Sequence, residues 1–155
     1  YSPQSLTHSN YEAFFYEGSS IASIMVAGEF PIQNIEEGQY LLAAIYFFRA
    51  ATKMFFGEDG DTLAGTPPPM VFLNGYGGDY FPDVPCVVTS FMHTMPDAVD
   101  YIEIPPVRGA YGAPTRLPTQ STLQVTLQPV YSRSKVHKFS LEDFANGLGV
   151  QQGFM

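Results

Sequence analysis

Residues 34–53 constrain this chain more than any other stretch. Asn34 is a strong helix N-cap residue, and Glu37 stands three places on, the spacing of a capping box. Glu36 and Glu37 put negative charge at the positive end of the helix dipole, and Arg49 and Lys53 put positive charge at the other. Between them, the run from Tyr40 to Phe48 is apolar on every face rather than along one stripe. Such a helix has to be covered on more than one side. Either the domain's own strands wrap it, or a sheet covers one face and a neighbouring subunit the other. Periodicity does not separate the two arrangements.

The rest of the chain reads mostly as strand. Tyr11 to Glu17 and Ile21 to Val26 are extended segments broken at Gly18, with Gly28 and Pro31 punctuating the approach to the helix. Gly57 to Pro69 is an acidic turn-forming loop that ends in three consecutive prolines, a stiff extended arm. Met70 to Leu73 is a short apolar strand with a turn signal at Asn74-Gly75. Cys86 to Met95 and Tyr101 to Ile104 are further strands, and Gly109 to Pro118 reads as a Gly/Pro-rich loop. Leu123, Val125 and Leu127 alternate with Gln124, Thr126 and Gln128, a half-buried strand. Val130 to Phe139 is expected to continue the sheet after a kink at Pro129. Ser140 and Asp143 cap a short helix over about 140–146, and Gly149 and Gly153 suggest a loose tail. The 155 residues fit one domain.

What covers that helix is a question about the surface, and here composition helps. Only 14% of residues are charged, against roughly 25% in soluble proteins, while 13 Phe and 10 Tyr make the chain aromatic. A surface poor in charge and rich in aromatics is the kind that meets another protein. The net charge of −8 disfavours a protein that grips nucleic acid through its phosphates. Residues 1–105 hold 13 acids and 2 bases, whereas residues 106–155 hold 2 acids and 5 bases. That split fits either one solvated surface or a basic region that meets an acidic face of a neighbouring copy. The longest apolar stretch, Tyr40 to Phe48, is too short to span a bilayer, and no basic-then-apolar segment opens the sequence.

No constellation in the sequence carries chemistry. His8, His93 and His137 are scattered without the spacing of a metal site, and Cys86 lies in an apolar run as a buried thiol. Glu58, Asp59 and Asp61 lack the ligand ladder of a calcium loop. Gly75-Tyr76-Gly77-Gly78 lacks the Lys-Ser/Thr and the helix of a phosphate loop, and Asp97 and Asp100 beside Pro96 read as turn formers. The expectation is a non-enzymatic protein with no cofactor and no metal.

Two runs carry a resemblance. The first is Asn34 to Gly57; the second comprises Pro67-Pro68-Pro69 through Gly75-Tyr76-Gly77, Val84 to Phe91 and Pro96 to Ile102. Together with the closing Phe139 to Gly147, they resemble tail-tube-like and baseplate-hub proteins of contractile-tailed bacteriophages, including those that initiate the tube. The resemblance implies a β-rich α+β fold, an antiparallel β-sandwich or barrel with one flanking helix. It also implies a virion protein, assembled in the host cytoplasm, whose copies form a ring of sixfold symmetry. Such a ring stacks with tail-tube, baseplate or sheath proteins and lets DNA pass without tight binding. Tyr40, Ile45, Phe47 and Phe48 of the helix, and Arg108, Arg116, Arg133, Lys135 and Lys138 of the basic region, are the expected interface residues. Glu58, Asp59, Asp61 and Asp79 are the expected acids of the bore. Rival readings are a monomeric ligand-binding β-domain, which would bury the Tyr40–Phe48 helix internally, and a structural protein of the head–tail neck.

Overall fold

The computed structural model describes residues 1–58, 60–106 and 113–155. Its centre is a four-stranded antiparallel sheet made of β3 (Ile24–Pro31), β4 (Met70–Gly75), β5 (Phe81–Thr94) and β8 (Gln120–Pro129), in the order β3-β8-β5-β4. Two short antiparallel ribbons accompany it: β1 (Ser2–Gln4) with β2 (Ala13–Phe15), and β6 (Tyr101–Ile104) with β7 (Thr115–Pro118). The helices are α1 (Ile35–Ala51), α2 (Arg133–Val136), α3 (Leu141–Ala145) and α4 (Leu148–Gln151). This is a β-rich α+β architecture. Of the expected sandwich or barrel, the chain shows one curled antiparallel sheet, a half-barrel, with α1 packed over its apolar face.

The core follows from alternation. Leu123, Val125 and Leu127 of β8 are buried and turn to one face, and Thr122, Gln124, Thr126 and Gln128 turn to the other. Leu41, Leu42 and Ile45 of α1 pack over the apolar face with Ile32, Ile104, Leu117 and Leu123. A second cluster joins Ala51 to Val84, Cys86, Val88, Val125 and Leu127. Helix α1 starts where its cap was expected, with Asn34 Oδ1 accepting from the Glu37 N–H at 2.8 Å. The reciprocal bond of the box slips by one residue: Glu37 accepts from the Gln33 N–H at 2.7 Å.

One glycine lets α1 sit this close. A Cβ on Gly38 would lie 2.8 Å from Ile104 Cγ1 and closer still to Cδ1, and Ile104 is fully buried. Gly38→Ala is therefore expected to destabilise the fold by about 1–3 kcal/mol through overpacking. That is so despite the gain of about 1 kcal/mol in helix propensity. A urea titration checks this, and a raised midpoint would contradict the close approach.

Several elements differ from their sequence-based bounds. β3 runs through Gly28 to Pro31 as an edge strand, where proline costs no ladder bond. β5 begins at Phe81, five residues before its expected start. The Pro85 carbonyl accepts from the Val130 N–H at 2.9 Å, so its missing N–H falls on the side where β8 has ended. Residues 115–118, expected as loop, form β7, because Leu117 is buried and Arg116 pairs across the ribbon with Glu103 at 2.8 Å. The segment after Pro129 leaves the sheet: Ser132 accepts from the Lys135 N–H and caps α2. The tail is not loose. Phe154 is buried against Tyr131 and Phe139, and Gly153 adopts φ +74° with its Cα packed where a Cβ would strike the Asp83 carbonyl.

Candidate functional site

Among the described residues the sheet leaves β3 and β4 without partners on their outer edges. Because the sheet curls, these edges face each other across a cleft of about 900 Å³ lined by Ile24–Ala27, Leu73–Gly75 and the aromatic turn residues Tyr76, Tyr80 and Phe81. A second hollow of about 500 Å³ shares Val26 and Leu73 with it, and is floored by Phe47 and Phe48 of α1 with Val125 and Leu127. The two adjoin at Val26 and Leu73 and together are called the trough. The turn at its mouth is held by a reciprocal pair in which Asn74 Nδ2 donates to Asp83 Oδ1 and the Asp83 N–H donates to Asn74 Oδ1, both at 2.8 Å.

The expected interface residues divide. Tyr40 (69% exposed) and Phe47 (56%) stand open on α1, whereas Ile45 (4%) lies in the core and offers nothing to a neighbour. Phe48 is half-buried and stacks on Phe91 with ring centroids 5.6 Å apart. Arg133 and Lys138 are exposed on and just after α2 rather than on a strand, and Arg116 is tied to Glu103. Lys135 folds back, its Nζ 5.4 Å from the Tyr131 ring centre and 5.3 Å from that of Phe154, which neutralises its use as an outward charge. Arg108 lies outside the described residues. Among the described residues the basic side chains therefore do not share one strand.

Nor do the described ones among the expected bore acids cluster on the sheet. Glu58 and Asp61 lie in the loop before β4, where the Asp61 side chain accepts from the Leu63 N–H, and Asp79 lies in the β4–β5 turn and accepts from Gln151. Asp59 lies outside the described residues. The uncovered face of the sheet instead carries Thr122, Gln124, Thr126 and Gln128 along β8, flanked by Met25, Ala27 and Glu29 of β3 and by Val87, Ser90, Met92 and Thr94 of β5.

Two features escaped sequence reasoning. The extended segment around Phe14 pairs with Ser2–Gln4 into a ribbon, with registers Ser2↔Phe15, Pro3↔Phe14 and Gln4↔Ala13. Its rings are exposed: Tyr1, Tyr11, Phe14, Phe15 and Tyr16 all stand in solvent, and no other element packs on it more than marginally. The trough is the other, since it depends on the curl of the sheet. The aromatic composition of residues 11–16 was the available signal for the first.

His93, on the covered face of β5, borders a hollow with Arg49, Thr52 and Lys53. Its Nε2 has no hydrogen-bond partner among the described residues. Burial first, and then the Arg49 charge, hold its pKa below the ordinary 6.5. The folded state thus resists a proton that the unfolded chain accepts. Its contribution to stability is complete above pH 6.5 and is lost as pH falls below that value. The fall in urea midpoint from pH 7.5 to 5.5 is expected to be smaller in His93→Gln than in the native chain; equal falls would contradict it.

Among the described residues no group of three His, Cys, Asp or Glu side chains converges to hold a metal ion, and no helix is long and apolar enough to cross a membrane. No protein-family model, curated protein or solved structure matches this chain.

Proposed function

We propose that the chain is a structural subunit that assembles with copies of itself into a ring of a contractile phage tail tube or of its junction with the baseplate. The observation that carries the assembly half of this reading is area. The chain exposes 11658 Å² for a mass of 17.1 kDa, whereas a compact monomer of that mass exposes about 7,800 Å². A standard interface takes about 800 Å² per partner, so the surplus suffices for several. Much of that surface is aromatic, including Tyr11, Phe56, Phe72 and Tyr76.

The tube half rests on the residue resemblance and is supported by a sheet with two unpaired edges. Free edges solicit strands from outside the chain, and a head-to-tail contact that closes on itself gives a ring. In such a ring the uncovered sheet face lines a bore with few charges, where the hydroxyls and amides of β8 are flanked by exposed Met25 and Met92, a wall to which DNA phosphates do not adhere. The ligand-binding rival requires the helix to be enclosed, yet Tyr40, Tyr46 and Phe47 are all more than half exposed.

Negative-stain images of the purified chain test the ring. Sixfold rings or stacked tubes are the expected result, and compact particles without rotational symmetry would overturn it.

A further inference from the structure

We propose that the β1–β2 ribbon of one copy docks in the trough between β3 and β4 of a second copy. This deepens the assembly reading by naming what fills the free edges.

Three observations converge. The ribbon presents aromatic side chains that its own chain leaves bare, with Tyr11 at 84% and Phe14 at 64% exposure. The trough is the complementary feature: two strand edges lacking partners above a floor of Phe47, Phe48, Val125 and Leu127. The surplus surface is several times what one such contact buries.

The pairing edge follows from proline. Pro3 interrupts β1, but Tyr11 to Tyr16 contains no proline, so β2 is the edge able to form a full ladder with β3 or β4. Alternation puts Ala13 and Phe15 on one side of β2 and Phe14 on the other; continued through the flanking residues, it adds Tyr11 to the first, uncharged side and Glu12 and Tyr16 to the second. The uncharged side faces the floor, and Glu12 turns toward the rim.

Disulfide trapping in trans tests this on the full chain. One preparation carries Phe15→Cys, another Phe47→Cys; native Cys86 is fully buried and takes no part. The two are mixed, oxidised mildly, and the linked peptides identified by mass spectrometry. A Phe15→Cys chain linked to a Phe47→Cys chain is expected, at a yield on the order of tenfold above a control with Leu141→Cys on exposed α3. Equal yields with the control would overturn the proposal. So would a Phe15→Cys/Phe47→Cys double variant that links only within one chain. Ring particles without the trans link would overturn the docking and leave the ring intact. A trans link in particles no larger than a dimer would support the docking and overturn the ring.

Discussion

Phe72→Lys is expected to raise the concentration at which the chain assembles on the order of 100-fold, while its folded state survives. Phe72 lies on β4, an outer strand, and its ring is 62% exposed. Within one chain it therefore contributes little, and a lysine there has room and solvent. In the proposed assembly its strand edge receives a neighbour, and Phe72 lines the second hollow of the trough with Met70 and Leu73. A buried aromatic at such a contact is worth about 2–4 kcal/mol, and an edge lysine is a common natural guard against strand addition. Light scattering over a dilution series reads the assembly, and circular dichroism reads the fold. Unchanged assembly would remove β4 from the interface. Lost fold would show that Phe72 supports the monomer after all.

Leu41→Ala is expected to cost about 3–5 kcal/mol of folding free energy. Leu41 is fully buried at the place where α1 meets Ile32, Ile104, Leu117 and Leu123, so its truncation opens a cavity between the helix and three other elements. Ile104 and Leu117 belong to the β6–β7 ribbon, which the same contact fastens to the body. Against a total stability of about 5–15 kcal/mol the loss is large enough to leave part of the chain unfolded at room temperature. Urea denaturation at one fixed protein concentration measures it, because assembly adds stability by mass action. A loss under about 1 kcal/mol would show that the site collapses freely and that α1 is not the centre of the core.

Elements written in local chemistry were legible from the residues. Asn34 with Glu37, and Ser140 with Asp143, announce two helix starts, and both caps are made by those side chains. The alternation of Leu123, Val125 and Leu127 announces β8 and its buried face. Failures came where distant contacts outweighed local signals. Residues 115–118 look like loop because of their Gly and Pro neighbours, yet burial of Leu117 and the ion pair to Glu103 hold them as a strand. Ser132 caps α2 without an acid three residues on, so only half of the usual cap signature was present. Gly153 reads as looseness in sequence but serves a tight turn that seats Phe154.

The candidate site was less legible, for a physical reason. Exposed Tyr40 and Phe47 follow from a helix apolar all round, and the aromatic density of residues 11–16 is visible directly. Which side of that helix is free is a tertiary fact, and Ile45 went inward with Leu41 and Leu42 while Phe47 stayed out. The trough exists only because β3 and β4, about forty residues apart in the chain, are brought opposite each other by the curl of strands lying between them. Lys135 looked like an outward charge, but its neighbours Tyr131 and Phe154 gave its stem and ammonium a better place.

The central claim is that this chain is built to be one part of a larger ring. Particle mass by light scattering, over a series of concentrations, tests it most directly. A mass several times 17.1 kDa that falls with dilution as copies separate is expected. A particle of 17.1 kDa at every concentration would contradict it.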